Sequence, residues 1–100
     1  MKNFKTYNLA CEFYQLSRSL AFRAPVKDQL ARAALSIPLN LAEGSGKFSR
    51  KDKRRFYEIA MGSCRECQAI LQLEGIEQLP VGKKLDHVAA SLHNLIKSTA

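Results

Sequence analysis

Residues 47–55 contain six cations, Lys47, Arg50, Lys51, Lys53, Arg54 and Arg55, against Asp52 alone, a local net charge of +5. Lys and Arg in this density bind polyanions, because each can meet a phosphate oxygen with a charge-assisted hydrogen bond. The cluster opens a helix, an end whose partial positive charge favours acidic residues instead. Arg50/Arg54 and Lys51/Arg55 are like-charge pairs four residues apart, which costs the helix a few tenths of a kcal/mol per pair. Holding them for an anionic partner is one explanation; a solvated helix end is the other. Phe48 lies between Lys47 and Arg50. An aromatic interleaved with cations suits stacking on a base, as in single-strand binders, but such a residue more often caps the end of a bundle.

Cys64-Arg65-Glu66-Cys67 is a C-x-x-C, so metal and redox chemistry need weighing. Structural zinc needs four converging ligands. His87 and His93 lie on one helical segment about 120° apart around its axis, and so they diverge. A redox C-x-x-C would open a helix after a strand, and no strand is expected here. Both thiols fall on an apolar helix face, where core packing is the expectation, and Cys11 should behave likewise. No metal or cofactor is expected. Gly44-Ser45-Gly46-Lys47 echoes a phosphate loop in composition, but it leaves a helix and lacks the spacing. There is no nucleophile elbow, Walker A loop or dinucleotide fingerprint, and Glu43 and Glu66 cannot be brought together from sequence. A protein that is not an enzyme, with no small-molecule substrate, is the reading.

The elements that position these residues follow from composition and periodicity. One hundred residues with 46% hydrophobic content, 5 Gly and 3 Pro suit one globular domain over residues 1–100. The net charge of +7 is uneven: residues 1–46 carry 6 basic and 3 acidic groups, and residues 56–100 carry 4 and 5. Concentrated basicity favours a polyanion partner over solubility alone. MKNFKTYNLACEFYQ lacks an apolar h-region, so no signal peptide is expected. The longest uncharged run, AALSIPLNLA, is too short to span a bilayer, so no membrane association is expected. Three cysteines, an odd number, suggest reduced thiols in a cytoplasm.

Periodicity predicts four helices. The first covers residues 4–21, with Tyr7, Leu9, Ala10, Phe13, Tyr14, Leu16 and Leu20 on one half of the cylinder. The second runs from Pro25 or Val26 to Glu43, with Leu30, Ala33, Ala34, Leu35, Ile37, Leu41 and Ala42 apolar. Pro38 interrupts its ladder, but the apolar face continues in phase, which predicts one kinked helix. Gln29, Arg32, Ser36, Asn40 and Glu43 form a polar stripe, which is either an interaction surface or a set of partners for the kinked backbone. Gly44 and Gly46 supply the permissive backbone for a stop. Ser49 with Asp52 predicts an N-cap for a third helix, Arg50 to Glu74, ending near Gly75. Its inward face is Phe56, Ile59, Ala60, Ser63, Cys67, Ile70 and Leu71, and Gly62 in mid-helix suggests close approach by a neighbour. Pro80 opens a fourth, ending near Lys97, with a narrow stripe of Val81, Leu85, Val88, Ala89, Leu92, Leu95 and Ile96. Short connections predict an all-α, up-and-down antiparallel four-helix bundle. By the helical wheel, the apolar faces of the first three helices span roughly 160° to 200°, wider than the ~100° an outer helix needs. Self-association through helices 1–3, sparing the outer face of helix 4, accounts for the excess; a well-filled monomer core is the alternative.

Ser36-Ile37-Pro38, Asn40, Ala42-Glu43-Gly44 and Gly46, then Ser49, Gly62-Ser63 and Glu66, resemble the signature of the four-helix-bundle proteins encoded in intervening sequences of 23S ribosomal RNA genes. The resemblance covers roughly residues 4–97. Leu39 and Leu41 vary the run conservatively, and the chain is somewhat short for the family. The resemblance implies a left-handed bundle assembling as a ring-shaped homopentamer in a bacterial cytoplasm. The family is similar in fold to the accessory protein of diversity-generating retroelements, a basic pentamer that engages a reverse transcriptase and nucleic acid. Its members often carry ribosomal-protein labels because of where their genes lie. No catalytic residues come with the resemblance, and only the structural motif, Ser36, Pro38, Asn40, Glu43, Gly44, Gly46 and Gly62, carries over. The expected function is therefore non-catalytic, oligomeric binding of RNA or other nucleic acid through Lys47, Phe48, Arg50, Lys51, Lys53, Arg54 and Arg55. The rival is an oligomeric scaffold that docks a partner protein such as a nucleic-acid enzyme.

Overall fold

The computed structural model describes residues 4–99, so the termini of the expected 1–100 domain, Met1–Asn3 and Ala100, lie outside the described residues. Four helices follow in order: α1 Lys5–Arg18, α2 Ala24–Ser45, α3 Arg50–Leu73 and α4 Pro80–Thr99. There is no strand among the described residues. Each helix packs on two others, α1 and α3 both contacting α2 and α4, while the diagonal pairs stay apart. This is the square of an up-and-down bundle, measuring 41 × 21 × 21 Å.

The core runs along the axis through Phe13, Ile37, Leu41, Cys64, Cys67, Leu71, Leu85, Val88 and Leu92, all at most 1% exposed. Burying each large aliphatic or aromatic side chain stabilises the fold by about 1.5–3 kcal/mol. Two expected inward residues lie elsewhere: Leu35 is 40% and Ile59 44% exposed. On α1 the fully covered stripe is Thr6, Ala10, Phe13 and Ser17, not the leucines. Its two hydroxyls are satisfied, Thr6 with Ser91 at 2.6 Å and Ser17 donating to the Tyr14 carbonyl at 2.8 Å. α1 also stops three residues earlier than periodicity suggests. There the Ser19 hydroxyl and its N–H both turn back onto the Leu16 carbonyl.

α2 is a single helix through Pro38, whose ring is buried on the core side. The polar stripe beside it divides. Asn40 donates to the Ser36 carbonyl at 2.8 Å and to its hydroxyl at 3.0 Å, and Ser36 pairs with Ser63 of α3 at 2.8 Å. Gln29 donates to Glu66 farther along the same seam. Glu43 instead faces solvent.

The glycines act differently from expectation at three positions. Gly44 does not stop α2; it is a buried helical residue, where a Cβ would lie 2.7 Å from Tyr57 Cε1 and 3.0 Å from Phe56 Cβ. Gly46 caps the helix at φ −88°, a conformation open to any residue. A Cβ added at Gly62 would meet nothing within 4 Å, and the residue lies exposed, so no helix of this chain approaches it. Gly75 does end α3, at φ +71°, with its N–H bonded to the Gln72 carbonyl and that of Ile76 to Leu71, the paired bonds of a Schellman motif.

Candidate nucleic-acid interface

The antiparallel order gathers the start of α1, the α2–α3 turn and the end of α4 at one end of the bundle. Ser49 fixes the start of α3: its backbone is extended, and its hydroxyl accepts from the Asp52 N–H at 3.0 Å. Substituting such a cap costs about 1 kcal/mol. Helical spacing then puts Arg50, Lys51, Arg54 and Arg55 on neighbouring positions of the first turns. These four line an open groove of about 700 Å³ whose far wall includes Thr99 of α4.

The cations are not equivalent. Lys53 points away from the groove and donates to the Ser45 carbonyl at 3.1 Å, closing an orphan acceptor at the C-terminus of α2. Lys47 pairs with Glu43 at 3.1 Å and sits 5.1 Å from the Phe56 ring centroid. Arg55 lies 4.6 Å from that centroid, so one aromatic ring orders two cations through its quadrupole. Arg54 meets Glu58 at 3.5 Å with both side chains about half exposed, a pair of small energetic weight. Arg50 and Lys51 are exposed and have no ion pair among the described residues.

Phe48 does not close the bundle end. It is 103% exposed on the α2–α3 turn, with Arg50 and Lys51 just beyond it. The bundle end is closed instead by Phe4 and Tyr57, in edge contact at 6.3 Å between centroids. The candidate residues thus form two groups: Arg50, Lys51, Arg54 and Arg55 share the groove, while Lys47, Phe48 and Lys53 belong to the turn. Lys5 and Lys97, in the terminal turns of α1 and α4, share this end and escaped sequence reasoning. Only the chain topology unites them with residues 47–55, although their helix-terminal positions were a usable signal.

Cys64 and Cys67 are fully buried. Burial pushes the Cys64 thiol up to about 11, and burial together with the neighbouring Cys64 pushes Cys67 up as well. Groups held this firmly as neutral thiols pack as small hydrophobes and are poor nucleophiles. Cys11 departs from the expectation, being only half-buried. No helix among the described residues is long and apolar enough to cross a membrane.

No curated protein matches the chain. The family model for the 23S rRNA-intervening sequence protein matches residues 4–98, nearly the whole chain and all four helices. The chain belongs to the 23S rRNA-intervening sequence protein family.

Proposed function

We propose that this protein is a non-catalytic, cytoplasmic homo-oligomer that binds RNA or other nucleic acid through the basic end of its bundle. The observation that carries the reading is the shared groove of Arg50, Lys51, Arg54 and Arg55, four cations with two acidic neighbours, Asp52 and Glu58. Arg50 and Lys51 are available to phosphate without breaking an existing ion pair among the described residues. Association multiplies the patch: each subunit adds one copy, and linked copies bind with avidity beyond the single site. A pentamer is the assembly that the family resemblance implies.

Support for association comes from apolar surface that the fold leaves uncovered. Leu35 is 40%, Leu39 58%, Ile59 44% and Leu73 84% exposed, all on α2 and α3. The Ser36–Ser63 contact sets a register that brings Leu39 and Ile59 level across the seam. Gly62, one turn beyond Ile59, offers a bare backbone for close approach by another copy. The same surface favours the second reading, a scaffold that docks a partner protein. Binding of RNA and of DNA, measured across a range of salt concentrations, distinguishes them. Counterion release predicts a log–log slope near −0.9 per phosphate contact on duplex and about −0.7 on single strands. A folded, oligomeric protein that ignores both nucleic acids at low salt is the scaffold.

A further inference from the structure

Phe48 is the residue with the least structural reason to be aromatic. It occupies the position just before the Ser49 N-cap. An apolar residue there ordinarily packs on an apolar residue four positions into the helix, as a staple. That position is Lys53, which turns instead to the Ser45 carbonyl. The turn itself is closed by the N–H groups of Gly46 and Lys47 on the Glu43 and Gly44 carbonyls, without help from the Phe48 ring. The ring is left fully in water, at 103% exposure. Before it in the chain, Lys47 is held by Glu43 and the Phe56 ring; after it, Arg50 and Lys51 are exposed without an ion pair among the described residues.

From this arrangement we infer that the nucleic acid bound at this end is single-stranded, with an unpaired base stacked on Phe48 and its flanking phosphates met by Lys47 on one side and by Arg50 and Lys51 on the other. This rests on the nucleic-acid reading above and narrows it. A duplex offers the ring no free π-face, because its bases are stacked and paired, and the major groove of A-form RNA is too deep and narrow for side chains to read. A single strand offers such a face at every nucleotide, and stacking is tolerant of sequence. Arg54 and Arg55, farther along the groove, continue the track for the phosphates that follow.

The test compares fluorescence anisotropy of labelled oligo(U) and oligo(dT) with that of a duplex of equal length, for wild type, Phe48→Ala and Phe48→Trp. All three should share one thermal transition, because the Phe48 ring packs against nothing in the core. Wild type should prefer the single strands. Phe48→Ala should weaken single-strand binding about 5- to 150-fold, the equivalent of one stacked base, and leave duplex binding unchanged. The chain has no tryptophan, so the indole introduced by Phe48→Trp is a unique reporter; single strands should quench it and duplex should not. A duplex preference, or equal binding of single strands by wild type and Phe48→Ala, overturns the single-strand assignment and leaves the basic interface standing. Failure of folded wild type to bind any of the three overturns both.

Discussion

Lys53 reaches back across the α2–α3 turn and donates to the Ser45 carbonyl at 3.1 Å. One cation of the basic cluster is thus part of the fold, satisfying the negative end of a neighbouring helix. Lys53→Met should lower stability by about 0.5–1.5 kcal/mol, the worth of a hydrogen bond of this kind. It should change RNA affinity far less than loss of Arg50 or Lys51. Urea midpoints and binding isotherms of the same samples check both halves. A variant of unchanged stability that binds poorly would return Lys53 to the interface.

Gly44 and Gly62, two of the glycines inside helices, should respond oppositely to one added methyl group. At Gly62 the space is open, and Gly62→Ala should stabilise the helix by about 1 kcal/mol through propensity alone. At Gly44 the methyl group would press on the buried Tyr57 ring. Overpacking of this kind costs about 1–3 kcal/mol, so Gly44→Ala should be net destabilising despite its better propensity. Denaturation midpoints of both variants, measured below the concentration at which subunits associate, decide the signs.

Burial of Cys64 sets an alkaline limit. Its thiol is raised from the ordinary 9 to about 11, so between those values the unfolded chain releases a proton that the folded chain keeps. The unfolded state therefore binds fewer protons, and stability falls as pH rises through that window, by up to about 1.4 kcal/mol per pH unit from this thiol. Well below pH 9 the thiol is protonated in both states and contributes no slope. Cys64→Ala should be less stable overall, through the cavity it leaves, yet lose stability less steeply between pH 9 and 11. At neutral pH a thiol reagent should label half-buried Cys11 first and reach Cys64 and Cys67 only on unfolding.

Association should depend on Leu39, the most exposed apolar residue midway along α2. Sedimentation equilibrium should find wild type oligomeric at micromolar concentration. Leu39→Glu should dissociate it with its helical circular dichroism intact, because the side chain contributes little to the monomer core. A monomeric wild type would refute the assembly.

Much of this was legible in sequence. Ser49 with Asp52, Pro25, Pro80 and Gly75 each carry local stop or start chemistry, so the helix boundaries they govern fall within a residue or two of expectation. Residues whose role depends on the register between helices were not legible. Gly44 reads as a helix stop because nothing local shows that Tyr57 will lie against it. Thr6 and Ser17 carry no apolar signal of their own, and the elements that cover them are fixed only once α1 is docked. Leu35 and Ile59 read as core because periodicity locates a face without showing whether a neighbour covers it. The basic cluster itself was plain, but its division into groove and turn residues required the Ser45 carbonyl and the Phe56 ring.

The most direct test of the central claim is the RNA affinity of Arg50→Glu/Arg54→Glu relative to wild type at low salt. Both residues are exposed, so the variant should keep its thermal transition and oligomeric state. The account predicts a loss of well over tenfold and a shallower salt dependence, since two phosphate contacts become repulsive. Equal affinity in a folded variant would contradict it, and would make the cluster a solvated helix end.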